Sequence, residues 1–197
     1  GSSSVCQGQE SSFCIIGESG IKYIWDFGPG STIVSGQETY CVVVILQISC
    51  IASVTPQNSC GKGTPRFLSI SVTSAPAQPS EISGPTTPCQ NSSGNVYSAT
   101  NVPGVTYNWI YSGTGAGITS GQGSNSINVS YSASATSGSW SVVPNNNCGK
   151  GLSRAIIINP QAPPSAPITD KVIQPSSTVP TGGAELTGLP ANGSWTL

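Results

Sequence analysis

The 197 residues carry 6 basic and 7 acidic side chains, a formal net charge of −1 and no histidine. So little charge argues against nucleic acid as a partner, because phosphate binding needs a clustered positive surface. A cysteine nucleophile would find no imidazole base anywhere in the chain, and seven cysteines without a histidine or a Cys-x-x-Cys pair do not read as a zinc site. Gly, Ser, Thr, Asn and Pro fill most polar positions while charged residues make up only 7%, a balance that suits an all-β extracellular protein in an oxidising compartment. Disorder is the competing reading of so much Ser and Gly, but regularly placed Trp, Tyr, Val and Ile oppose it. The longest apolar run, Cys41–Leu46, is strand-sized and too short to insert in a membrane. Gly1-Ser-Ser-Ser4 reads as a cloning scar or the interior of a longer chain, with no signal peptide.

Taken in order, the chain states a pattern and then repeats it. The first statement has Cys6-Gln7, Phe13, Ile21-Lys-Tyr-Ile-Trp25, Ile33-Val-Ser-Gly-Gln37 and Ser59-Cys-Gly-Lys-Gly63, ending near Arg66. The second has Cys89-Gln90, Tyr97, Val105-Thr-Tyr-Asn-Trp109, Ile118-Thr-Ser-Gly-Gln122 and Asn147-Cys-Gly-Lys-Gly151, ending near Arg154. The interval from Phe13 to Trp25 equals that from Tyr97 to Trp109, and the second copy is three residues longer between its Gln and its last Cys. Length changes confined to a turn are what a β-sandwich tolerates. Each copy has about 75 to 80 residues, small enough for core burial to be marginal and a covalent staple to help.

In the second copy strands are expected near Glu81–Ser83, Asn95–Ala99, Thr106–Tyr111, Ile118–Thr119, Ser126–Tyr131, Ser139–Pro144 and Ser153–Asn159. Tyr107, Trp109 and Tyr111 alternate onto one face, as do Ile127, Val129 and Tyr131. About seven short strands between Gly, Ser, Asn and Pro turns is the pattern of an immunoglobulin-like sandwich. Proline-rich joints at Ser74–Ser80 and Asn159–Pro167 favour an extended backbone and a rod of tandem domains. Three parts follow: 1–76, 77–162, and 163–197 as a linker with the start of a third β-module of two or three strands. Truncation is the favoured reading of that last part, with strand addition from a neighbouring copy as the alternative.

The bracketing cysteines recur in register, so Cys6–Cys60 and Cys89–Cys148 bonds are expected. Each would close a loop of roughly fifty to sixty residues and contribute about 4 kcal/mol. Cys14, Cys41 and Cys50, unique to copy one, could form one further bond and leave one thiol, but are read by preference as buried small hydrophobes, with Cys41 placed opposite a residue near Thr55; an intermolecular bond is the minor alternative. Tyr23, Trp25, Tyr107 and Trp109 are assigned to core packing over a sugar-stacking platform. Tyr111, Tyr131 and Trp140 are the candidates for a ligand surface. Lys62, Arg66, Lys150 and Arg154, matched on the last hairpin, could hold anionic polysaccharide down a fibre, but solvated turns with flanking glycines are the preferred reading of them. Carboxylates are scattered without a recurring pair, so neither glycosidase chemistry nor a calcium loop is assigned. Lys22 and Asp26 are too weak a signal for an isopeptide staple.

The runs Ile82–Asn91, Val96–Trp109, Gly115–Val129 and Asn147-Cys-Gly149 resemble the PKD-like repeats of large surface proteins from gliding, type IX-secreting Gram-negative bacteria. Copy one departs from the pattern at Glu38-Thr-Tyr-Cys41. The tail from Gly188 to Leu197 is similar to a second repeat type of those proteins, in which a cysteine often stands where this chain has Ser176 or Ser177. The resemblance implies tandem all-β PKD-like sandwiches, extracellular or on the cell surface, strung as a non-catalytic stalk or spacer of an adhesin or filament. Its partners would be neighbouring repeats, with surface polysaccharide or other copies by strand addition as further candidates; no cofactor, metal or membrane insertion is implied. The alternative is a polysaccharide-binding accessory module of a secreted hydrolase.

Overall fold

A computed structural model describes residues 4–166, 168–173 and 183–187. The first repeat has eight strands: β1 (Ser4–Cys6), β2 (Glu10–Cys14), β3 (Lys22–Asp26), β4 (Ser31–Ser35), β5 (Cys41–Leu46), β6 (Cys50–Asn58), β7 (Gly61–Lys62) and β8 (Arg66–Thr73). The second has β9 (Ser92–Ser98), β10 (Thr106–Tyr111), β11 (Ala116–Ser120), β12 (Ser126–Tyr131), β13 (Gly138–Asn146), β14 (Gly149–Lys150) and β15 (Arg154–Ile158). β16 (Ile168–Ile173) and β17 (Gly183–Thr187) form an antiparallel hairpin. No helix occurs among the described residues.

Each repeat is two sheets with one core between them. In repeat one the order β1-β8-β6-β3, with β7 on β6, faces β2-β5-β4. In repeat two β10-β13-β15, with β14 on β13, faces β9-β12-β11. The registers superpose: Trp25 lies opposite Val54 as Trp109 lies opposite Val142, and the ladders slip register at the matched places after Ile33 and Ile118. The three extra residues of repeat two fall between Tyr131 and Gly138, against Leu46 to Cys50 in repeat one. The first strand expected in repeat two, Glu81–Ser83, is reduced to a single bridge from Ser83 to Ser98. The tail motif from Gly188, with Ser176 and Ser177, lies outside the described residues.

Alternation produces the cores. β5 buries Val42, Val44 and Leu46 and turns the intervening residues outward. Tyr23 and Trp25, and likewise Tyr107 and Trp109, are buried on the inner faces of β3 and β10. Both tryptophans satisfy their indole N–H, Trp25 on the Thr39 carbonyl at 2.8 Å and Trp109 on the Ser124 carbonyl at 2.9 Å.

A glutamine completes the open edge of each tryptophan strand. The Gln37 side-chain amide accepts from Trp25 N–H and donates to Trp25 C=O, both at 2.9 Å; Gln122 does the same for Trp109, both at 3.1 Å. The recurring Ser-Gly-Gln is therefore a turn that delivers an amide to strand backbone groups which would otherwise need water. Its glycine is required: a Cβ on Gly36 or Gly121 would stand 2.1 or 2.2 Å from a backbone carbonyl oxygen.

Candidate functional site

The two sandwiches meet where the chain leaves β8. Its outgoing segment, Ser74–Pro79, lies along the turn after β13 and the hairpin that follows it. The Asn146 side-chain amide donates to Ser74 C=O at 2.8 Å, the Gln78 amide to Ser153 C=O at 2.7 Å, and Arg154 Nε to Pro79 C=O at 3.3 Å. Gly151 is needed for this seat, because a Cβ there would come within 2.2 Å of the Pro76 carbonyl oxygen. The other glycine beside the lysine, Gly149, has φ 133°, a conformation L side chains rarely adopt. Cys6, at the end of β1, is bonded to Cys148 in this turn.

That bond corrects the expected pairing. Cys6 does not join Cys60, and Cys89 does not join Cys148; Cys60 and Cys89 are free and exposed. The reason lies in the register. Cys6 pairs with Thr73 at one end of β8, whereas the Cys60 turn leaves β6 beyond the pairing of Val54 with Arg66, at the other. Seven residues of extended strand separate the two ends by about 23 Å, far beyond the Cα spacing a disulfide spans. The end of the first strand and the penultimate turn therefore sit at opposite poles of a sandwich. A bond between them becomes possible only across the junction of two sandwiches.

The reading of the remaining cysteines changes as well. β5 pairs with β2, not with β6, so Cys41 faces Cys14 and the two are bonded with a Cα–Cα distance of 4.1 Å. Cys50 is half-buried and unpaired, and burial pushes its thiol pKa up.

The suggested ligand-surface aromatics are interior. Tyr131 and Trp140 are each 2% exposed. Trp140 Nε1 donates to the Tyr131 hydroxyl at 2.9 Å, which shares a 2.8 Å hydrogen bond with the Tyr97 hydroxyl. Half-buried Tyr111 packs on Trp140, ring centroids 4.9 Å apart, and donates to Thr136 C=O. Burial first, then the Tyr131 hydroxyl, holds Tyr97 far above the usual phenol range, and burial raises Tyr111. Among the basic residues, Lys62, Lys150 and Arg66 are exposed, and Arg154 is committed to the linker.

A cleft of about 610 Å³ beside the junction is lined by Val5, Thr73, Pro76, Pro103 and Asn147 among others, and no ionisable side chain faces it. The junction thus holds chain and sulfur, and among the described residues its cleft is lined by no carboxylate or amine. Among the described residues no group of three His, Cys, Asp or Glu side chains is gathered. The seat built by Asn146, Gly151 and Arg154 was missed in the sequence, although Asn-x-Cys-Gly-Lys-Gly recurring beside a Ser/Ala/Pro linker was its signal.

Fold and junction define a tandem of immunoglobulin-like β-sandwiches. A PKD-like domain model matches residues 1–71 and again 75–158, and the chain belongs to that family. Among solved structures, the titin I-band fragment I67-I69 is 13% identical over 87% of this chain and 66% of its own, with a TM-score of 0.52. FdeC, described as an Escherichia coli adhesin, is 15% identical over 81% of this chain and 62% of its own, with a TM-score of 0.49. The chain thus spans less than two thirds of the length of either, and at 13% identity the likeness to the titin fragment is one of fold. No curated protein matches the chain.

Proposed function

We propose that this chain is a non-catalytic, load-bearing spacer of an extracellular adhesin or filament. The observation that carries the reading is the Cys6–Cys148 bond, whose partners are 142 residues apart in sequence and belong to different sandwiches. Tension applied at the two chain ends enters at Cys6, crosses the sulfur bridge and leaves through Cys148. Repeat one beyond β1, the linker and most of repeat two lie outside that path. Disulfides persist in oxidising surroundings, which supports an extracellular or cell-surface location reached by secretion, the type IX route being the one the sequence resemblance implies.

Single-molecule stretching tests this. The oxidised chain should extend by roughly 400 Å less than the chain carrying Cys6→Ser, since that is the extended length of the sequestered segment outside the loop that Cys14–Cys41 keeps closed. Equal extension would overturn the reading. A polysaccharide-binding module is the competing proposal, and the burial of Tyr131 and Trp140 removes the aromatic platform it relied on. Saturable retention on a surface polysaccharide, lost on Lys62→Ala or Lys150→Ala, would restore it.

A further inference from the structure

The seat that holds the linker in repeat two exists again in repeat one, and there it is bare. Asn58, Cys60, Gly63 and Arg66 stand where Asn146, Cys148, Gly151 and Arg154 stand, and the turn geometry is the same. Asn58 Oδ1 accepts from Cys60 N–H at 2.9 Å as Asn146 Oδ1 accepts from Cys148 N–H at 2.8 Å. All four residues are exposed in repeat one and half-buried in repeat two, and Pro56 is half-buried where Pro144 is buried. A groove of about 350 Å³ runs along the turn, lined by Pro56, Asn58, Cys60 and Gly63 among others.

The complementary end is also on the molecule. Cys89 bridges Gln161 in parallel as Cys6 pairs with Thr73. Gln90 N–H bonds Gln161 C=O at 2.8 Å as Gln7 N–H bonds Thr73 C=O at 2.9 Å. The outgoing residues Ala162-Pro-Pro164 match Ser74-Ala-Pro76. Repeat two therefore ends in the kind of surface that fits the bare seat, with an exposed thiol in the place of Cys6.

We propose that the Asn58–Gly63 turn of one copy receives the Cys89–Pro164 end of a second copy, and that a Cys60–Cys89 disulfide seals this head-to-tail joint. The chemistry is exchange with a small disulfide such as oxidised glutathione. The Cys89 thiolate displaces one glutathione thiolate, and the Cys60 thiolate then attacks the Cys89 sulfur and displaces the other. Two protein thiols are oxidised and one glutathione disulfide is reduced to two thiols, whose sulfurs take up, through solvent, the two protons that the cysteines release. The joint would repeat the one between the two sandwiches and involves no strand addition.

The test uses full-length chains in a Cys50→Ala background, one carrying Cys60→Ser and the other Cys89→Ser, with oxidised glutathione. The mixture should form a dimer mapped by mass spectrometry to Cys60–Cys89, at least tenfold faster than either chain alone. Gly63→Val should slow it by a similar factor, because the incoming Pro164 carbonyl needs the room that Gly151 leaves for Pro76. Asn58→Asp, which keeps the turn but replaces the amide donor, should do the same without altering thermal unfolding. Homodimers forming as fast as the mixed one, or cross-linking indifferent to both substitutions, would overturn the proposal. These readouts come from two chains and the stretching experiment from one, so failure of either reading is told apart from failure of the other.

Discussion

Four matched positions in the two sandwiches hold Tyr97, Tyr111, Tyr131 and Trp140 in repeat two and Phe13, Phe27, Leu46 and Ala52 in repeat one. Repeat two fills them with rings whose polar atoms are hydrogen-bonded, those of Tyr97, Tyr131 and Trp140 to one another; repeat one fills them with smaller, wholly apolar groups, its Phe13 and Phe27 rings 5.6 Å apart. In the sheet that carries Phe13 and Leu46 the difference reverses. Repeat one joins Cys14 to Cys41, where repeat two has Ser98 opposite Ser126. A sandwich of this size needs more than bare apolar burial. One copy obtains it from large aromatic groups with satisfied hydrogen bonds, the other from a covalent restriction of its unfolded state.

The largest expected effect removes the aromatic solution. Trp140→Ala deletes a buried indole and should cost repeat two about 3–5 kcal/mol, read as lost native-state hydrogen-exchange protection across β9–β15 with little change in β2–β8. Loss of protection in both repeats alike would mean that they unfold as one unit, and the comparison would fail.

Next comes the covalent solution. Replacing Cys14 and Cys41 by serine opens a loop whose ends are 27 residues apart in sequence, and the chain-entropy model gives about 3.5 kcal/mol. Repeat two already accommodates serines at this register, so steric damage should be small and the loss confined to repeat one. A change below about 1 kcal/mol would show that repeat one's unfolded state is already compact without the bond.

Much of this architecture was legible and some was not, for physical reasons. Two-residue alternation in Tyr23/Trp25 and Tyr107/Trp109 identified inward faces because a pleated strand leaves no other choice. The same count had put Tyr131 on one face with Ile127 and Val129, which are 1% and 0% exposed; treating it as a surface aromatic set that signal aside. The sulfur pairing was harder. Cysteines recurring in register satisfy bonds within copies and bonds between copies equally, and what separates them is the strand length between the poles, known only once β1 is placed parallel to β8. The glutamine clip on each tryptophan strand was hidden for another reason: a side chain that imitates a neighbouring strand has no periodicity.

A smaller effect probes the hydrogen bonds inside repeat two. Tyr131→Phe keeps the ring but leaves the buried Trp140 N–H without its acceptor, which should cost about 1–3 kcal/mol. The network also makes repeat two the alkali-sensitive half. Tyr97 ionises far more reluctantly in the folded state than a free phenol does, so its contribution is complete below pH about 10 and is lost progressively as pH rises above it. Denaturant melts at pH 9 and 11 should show repeat two losing more stability than repeat one, which has Phe13 in that place. Tyr97→Phe should narrow the gap between the two pH responses, with Tyr111, also raised by burial, keeping the remainder.

The smallest effect concerns Glu38, which has φ 69° where repeat two has Gly123 at φ 94°. Glu38 is paired with Lys22 at 2.6 Å, but both side chains are more than half exposed, so the pair contributes at most about 0.5 kcal/mol. Glu38→Gly relieves a left-handed L-residue but loosens the unfolded chain by a comparable amount, so its net effect should lie within about 0.5 kcal/mol of zero. Glu38→Ala gives up the ion pair and keeps the backbone strain, and it should be the less stable of the two variants. The order of the two in one set of thermal melts decides the point: if alanine is the more stable, the backbone at residue 38 is unstrained and the two turns differ only in charge.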